Sequence, residues 1–447
     1  MKKIFAYLFF ICPFFSGTAQ NILNGYIHEG LENNESIKQQ NFLLEKNLYA
    51  LKESYSLFFP TLTLSGSYSL AEGGRTVDFP AGDILNPVFN TLNELTESQT
   101  FHEMKNMEIQ LNPDDYYDAK VRLAYQIFNA ELLYNRKIKK AIVSRQEEEV
   151  LLYKRELVKD IKIAYYQYGQ ALKNVEIKKY AIEIAKENQR INQSLYENGK
   201  TNYTTLIRSE NEITKSESAL FSASQKLKNS QAYFNFLLNR PFDTPVITEE
   251  PDISLIQNTD HLFIDNREEI KKLQYATAIK YQYKGLAQSF LLPKISTYLD
   301  LGSQGFNWKY NDKTRYYLFG ISLQWTFSLG GQHIHQINQA KTDLDFIDSQ
   351  NKEVKEQLAL QLERSVNNYR DALNEYSAVI SQTHTTERYF QDMKKLYQEG
   401  KALYIELLDA QTQLIVTQEK MNIARYNVCT RQAEVERANA SYDLNNY

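Results

Sequence analysis

Cysteine is almost missing from this sequence: of 447 residues only Cys12 and Cys429 carry thiols. No cysteine framework can hold the chain, so packing must. Long apolar runs are scarce too. Beyond the first 15 positions no stretch reaches the roughly 18 apolar residues of a spanning helix, and the mean hydropathy is −0.52, which excludes a polytopic helical membrane protein. Sixteen Gly and 9 Pro are too few for a collagenous or low-complexity chain. Neither charge dominates, since 51 Lys and Arg face 55 Asp and Glu, so there is no basic footprint for nucleic acid. There is no phosphate-loop glycine signature, no G-x-S-x-G elbow and no H-E-x-x-H, which leaves no basis for an enzyme, a catalytic residue or a cofactor. Aromatics, by contrast, are abundant, with 32 Tyr and 23 Phe.

The N-terminus reads as an export signal at 1–19. Lys2 and Lys3 precede the apolar stretch Ile4–Phe15, and Gly17 and Ala19 supply the small residues a signal peptidase needs. Cys12, between Ile11 and Pro13, does not fit a lipidation site.

The remainder is duplicated. Asn33-Asn34-Glu35-Ser36-Ile37-Lys38 recurs as Asn266-Arg267-Glu268-Glu269-Ile270-Lys271, and Ser56–Pro60 as Ser289–Pro293, at an offset of 233. Leu195-Tyr196-Glu197-Asn198-Gly199-Lys200 recurs as Leu396-Tyr397-Gln398-Glu399-Gly400-Lys401 at an offset of 201. The difference is the excess of Ala71–Asp115, 45 residues, over its counterpart Ser303–Arg315, 13 residues. Two structural repeats follow, 20–245 and 258–447, joined by a linker at 246–257 that overlaps the proline-bounded stretch Pro241–Pro251.

Each repeat switches periodicity. Strict alternation predicts strands at about 61–70 and 116–128 in the first copy and 294–302 and 316–328 in the second. Leu62, Leu64, Tyr68 and Leu70 share a face opposite hydroxyls, and Phe319, Ile321, Leu323, Trp325 and Phe327 share one opposite Ser322, Gln324 and Thr326. Strands of about ten residues, apolar on one side, suit a transmembrane barrel. The segments from Asn129 and Gly330 onward lack proline for about 70 residues, enough for helices of about 100 Å. Returning helices carry heptads at Leu206, Ile213, Leu220, Leu227, Phe234 and at Leu407, Leu414, Met421, Val428, Val435, with small residues three positions on. Long hairpins at 129–240 and 330–441 result, reversing at Gly199 and Gly400. Loop 71–115, with 9 acidic and 2 basic residues, lies at the other end of the strands and reads as a solvated extracellular loop.

Four strands cannot close a barrel, and lipid forbids an open edge, so the chain must oligomerise. Two copies give eight strands and a lumen filled by side chains; three give twelve and leave a conduit.

The duplicated strand-pair and hairpin units, Pro60 and Pro293 at the helix-to-strand junctions, and Tyr397-x-x-Gly400 followed by Leu407-Leu408-Asp409-Ala410-Gln411 resemble the TolC-like outer-membrane efflux proteins over essentially all of 22–447. The resemblance implies a mostly α fold with β structure, a homotrimer with a 12-stranded barrel in outer-membrane lipid and an α-helical tunnel in the periplasm. It implies passive conduction for efflux or type I secretion, a periplasmic adaptor on the hairpin tips, and an inner-membrane transporter reached through that adaptor. Glu406 and Asp409 match the family's acidic entrance constriction, and Tyr397 one of its closing links; Thr205 and Arg208 in the first copy, and Ala402, depart from that pattern. Gly199, Lys200, Tyr203, Gly400, Lys401, Leu403 and Tyr404 form the expected tips and adaptor contact. His333 and His335 share one strand face at i, i+2, but the strand has become helix there and no Cys supports them, so no metal is expected. The alternative is a periplasmic adaptor protein, which would need one hairpin and not two.

Overall fold

The computed structural model describes residues 22–112, 114–251, 253, 264–442 and 444. The expected export signal and positions 252 and 254–257 of the linker lie outside them. In chain order the elements are α1 (Ile22–Asn33), α2 (Glu35–Ser56), β1 (Thr61–Ser69), β2 (Thr76–Phe79), α3 (Ala81–Leu95), β3 (Met107–Gln110), β4 (Tyr116–Phe128), α4 (Ala130–Glu197), α5 (Tyr203–Leu237), α6 (Glu268–Gln288), β5 (Lys294–Phe306), β6 (Arg315–Gln324), α7 (Gln332–Gln398) and α8 (Tyr404–Asn439). Two compact units form: a helical one from the described residues up to Leu48, Ala141–Lys280 and those from Asp343 on, and a strand-bearing one from Tyr49–Lys140 and Tyr281–Thr342.

In the helical unit the heptads face inward. Leu206, Phe234, Leu407, Leu414, Val428 and Val435 are buried, as are the small partners Ser209, Ala223, Ala410, Thr417, Ala424 and Ala438. Alternating large and small side chains let the helices approach closely. One cluster joins Ile27 of α1, Val158 and Ile161 of α4 and Phe234 of α5. Another joins Leu362, Val366 and Tyr369 of α7 to Val428 and Val435 of α8.

The duplication is visible in the caps. Asn239 and Ala440, which correspond at the 201 offset, both take left-handed conformations, φ 56° and 52°. Arg240 N–H donates to Asn235 and Ser441 N–H to Glu436, closing equivalent helix ends. Asn34 Nδ2 donates to the Leu237 carbonyl, and its counterpart Arg267 donates to the Ala438 carbonyl. In the second copy this joint carries charge: Arg155 pairs with Glu268, Arg267 with Glu269, and Arg437 with both Glu156 and Glu269.

In the strand-bearing unit, β1-β4-β5-β6 form one antiparallel sheet in that order. Register aligns Leu62, Leu123, Leu299 and Phe319 in one row and Leu64, Val121, Leu301 and Tyr317 in the next. This apolar face is open: Leu64 is 81% exposed and Ile321 67%. The opposite face is polar. Arg122 grips Asp300 through two bonds of 2.6 Å, and Asp118 accepts from Lys120 and Tyr316. A one-residue slip would exchange these faces, so the cross-strand pairs fix the register.

β6 stops at Gln324, short of the expected 328, because its partner β5 begins at Lys294, directly after Pro293. β5 runs on to Phe306, past the expected 302; beyond the last ladder pair Gln304 N–H still donates to the Thr314 carbonyl, and Ser303 bonds Tyr117 and Thr314. The expected open loop 71–115 contains β2, α3 and β3. Asparagine amides bind it together: Asn86 bonds both backbone groups of Met104, Asn93 both of Phe101, and Asn106 receives the N–H groups opening α3. Amides that satisfy backbone donors and acceptors replace the apolar core a short segment lacks.

Candidate functional site: the hairpin tips

Both hairpins reverse by the same device. Lys200 N–H donates to the Leu195 carbonyl at 2.8 Å and Gly199 N–H to Tyr196; Lys401 N–H donates to Leu396 at 2.9 Å and Gly400 N–H to Tyr397. Each closes the last turn of a 67- or 68-residue helix. The glycines sit at φ 67° and 76°, where a Cβ costs about 1–2 kcal/mol. The returning helices start differently. Asn202 caps α5 by accepting from Thr205 N–H. On α8 the carboxylate of Glu406 reaches back to Leu403 N–H at 2.7 Å.

The two tips also differ in burial. Tyr196 and Tyr203 pair at 5.8 Å, and their counterparts Tyr397 and Tyr404 at 5.6 Å. The first pair is exposed, with Tyr203 at 58%, whereas Tyr397 and Tyr404 are buried against Ile184 and Ile191 of α4. Tyr397 donates its hydroxyl to Asn192 Oδ1 at 2.5 Å, linking the second hairpin to the first. One turn away Asn188 donates to Gln411 at 2.7 Å. Burial raises the Tyr397 phenol and pushes Tyr404 up to about 12. Both stay protonated at neutral pH.

Of the expected residues, Gly199, Lys200, Tyr203, Gly400, Lys401 and Leu403 are exposed at the turns, as are Glu406 and Asp409. Asp409 accepts from Gln413 one turn on. Tyr404 is turned inward and offers little surface to a partner, and Tyr397 is buried beside it, both rings packing between hairpins and the Tyr397 hydroxyl linking them. Asn188 and Asn192 escaped the sequence reading, and Gln411 entered it only as the end of a motif; the signal available was a pair of amides at i, i+4 within an apolar helical pattern. His333 stacks on Phe290 at 4.0 Å, and among the described residues no group of three potential ligands could hold a metal.

The model of the outer membrane efflux protein family matches residues 26–240 and 262–441. The chain belongs to that family. No curated protein sequence matches this efflux protein, but solved structures share its fold. Over 93% of this chain and 95% of the other it superposes on the outer-membrane protein VceC from Vibrio cholerae with TM-score 0.74 at 15% identity. For the CmeC outer-membrane channel from Campylobacter jejuni the values are 95%, 88%, 0.74 and 16%. For the open state of the MtrE channel from Neisseria gonorrhoeae they are 93%, 88%, 0.72 and 13%. The efflux protein is thus an outer-membrane exit duct with its long helices in the periplasm, and the adaptor reading is not favoured.

Proposed function

We propose that three copies of this efflux protein close a 12-stranded barrel and conduct cargo passively, without catalysis, from an inner-membrane transporter and its periplasmic adaptor to the exterior. One observation carries the reading: a four-stranded antiparallel sheet with an open apolar face, in which β1 and β6 each have one partner among the described residues. Neither edge can stay unpaired in hydrocarbon, where each free N–H or C=O costs several kcal/mol. β1 and β6 run antiparallel, so β1 of one copy can pair with β6 of the next without a change of direction. The expected repeats at 20–245 and 258–447 then supply two strands and one hairpin each. In unheated gels the detergent-extracted outer-membrane protein should run as a trimer that heating converts to single chains; a chain that stays monomeric in both lanes refutes the assembly.

The tips carry the second part of the proposal. Three copies of Glu406 and Asp409 form carboxylate rings at the periplasmic entrance and favour cations. Glu406→Ala combined with Asp409→Ala raises anion conductance in planar bilayers; unchanged cation selectivity sinks this assignment. The exposed turn residues Lys200, Tyr203, Lys401 and Leu403, set by Gly199 and Gly400, meet the adaptor, and a photocrosslinker at Lys401 that captures no periplasmic protein counts against that contact.

A further inference from the structure

The segment between β1 and β4 is folded inside out. Asn86, Asn93 and Phe89 of α3 face their own loop, the first two through amide bonds and the third against Phe101 at 6.0 Å. The apolar side of the same helix is left bare: Ile84 is 59% exposed, Val88 52% and Leu95 77%. β2 and β3 add a second bare face, with Val77 opposite Ile109 and Phe79 opposite Met107, all about half exposed. Around these surfaces the segment is acidic, 9 residues to 2.

A complementary surface exists on the same chain. The turn between β5 and β6 and the residue that ends it carry Lys309, Lys313 and Arg315 against a single Asp312, with Tyr310 66% exposed beneath the Arg315 guanidinium. Register fixes where the two lie. Ser69 aligns with Tyr116 and Tyr116 with Phe306, while Ser303 aligns with Arg315. Both connections therefore leave the same end of the sheet, side by side within the chain, where Trp308 stacks on Tyr68 and Tyr117 and Asn307 N–H donates to the Asp115 carbonyl, and they adjoin again across a subunit seam. Closing a barrel edge to edge sets the acidic connection of one copy beside the basic turn of the next.

We infer that the folded β1–β4 connection of each copy docks its apolar helix face on the β5–β6 turn of its neighbour, clamping the subunit seam at the mouth of the barrel. The inference rests on the trimeric barrel proposed above. An outer leaflet is the weaker occupant, because helices that lie on membranes present Lys and Arg beside their apolar stripe. Between 81 and 104 this segment has neither, and Asp83 and Glu94 stand in the first and last turns of the helix instead. Opposite charge across the seam also selects the neighbour's turn over another acidic loop.

The test uses two differently tagged full-length chains, both Cys429→Ser, one carrying Val88→Cys and the other Tyr310→Cys, co-expressed and treated with a flexible bis-maleimide. The expected result is a crosslinked band bearing both tags within the unheated trimer, lost when the Tyr310→Cys chain also carries Lys309→Glu and Lys313→Glu. Trimers without the mixed band, in which Val88→Cys reacts freely with a membrane-impermeant maleimide or is labelled by a photoactivatable lipid, overturn the inference and leave the barrel standing. Absence of trimers from the unheated gel overturns the barrel itself, and this docking with it.

Discussion

Asn192 lies wholly buried between hairpins, accepts the Tyr397 hydroxyl, and leaves its own Nδ2 without a partner. Asn188 is placed alike, bonded to Gln411 through Nδ2 and unpartnered at Oδ1. Incompletely satisfied amides in a core are costly, about 1–3 kcal/mol each. Tyr397→Phe removes the hydroxyl yet keeps the ring, so it should loosen the joint between the two hairpins without unfolding it. Single-channel recordings in planar bilayers are expected to show larger or more frequent openings; conductance identical to that of the parent protein removes Tyr397 from gating. The two carboxylates separate in a similar way. Glu406 also caps α8, so Glu406→Ala costs about 1 kcal/mol of local helix stability on top of its charge. Asp409→Asn should shift ion selectivity while leaving the thermal midpoint in detergent unchanged. Of these residues Tyr397 was singled out through the repeated tip segment, and Glu406 and Asp409 through the family resemblance alone, since the first copy has Thr205 and Arg208 in their places. Asn192 was not, because an asparagine in a helical heptad looks the same whether it faces solvent or another hairpin.

At the scale of elements, the joint where α4, α6, α7 and α8 meet is the charged one. Burial works to raise the Glu269 carboxyl, but hydrogen bonds from Arg267 and the charges of Arg437 and Arg267 outweigh it and hold it at about 2. A depressed carboxyl pKa stabilises the fold above the unfolded value near 4.5, and that stabilisation is lost as pH falls from there toward 2. The thermal midpoint of the detergent-solubilised protein should therefore drop across this window, and in Glu269→Gln it should start lower and drop less. A variant with the parent's full pH dependence contradicts the assignment. Arg437→Met removes a buried guanidinium that bridges Glu156 and Glu269, which keep Lys159 and Arg267 as partners, and should lower the thermal midpoint modestly. Periodicity located the long helices and the inward heptads to within a few residues. It could not see β2, α3 and β3, because those elements are held by asparagine amides reaching along the loop and not by an alternating apolar pattern.

For the molecule as a whole, the decisive surface is the outer face of the sheet. Ile321 belongs to the apolar rows and Ser322 to the polar side. A lysine near the bilayer midplane on a lipid-facing strand costs about 2–4 kcal/mol, and a trimer pays it three times. Ile321→Lys should sharply reduce heat-modifiable trimers in the outer membrane, whereas Ser322→Lys should be tolerated and alter conductance instead. Equal trimer yields from the two variants would reverse the assignment of faces.

The sequence by itself determined the duplication, the four amphipathic strands, the two long hairpins and the family, because each is written in spacings that local backbone geometry reads directly. Tertiary structure alone decided the strand order β1-β4-β5-β6, the ion pairs on its polar face, and which of two matching tyrosine pairs is buried. The physical reason is that periodicity reports which face of an element is apolar but not what covers it. Tyr196 with Tyr203 and Tyr397 with Tyr404 carry the same local pattern, and only the packing of α4 against the second tip makes one pair a surface and the other a core.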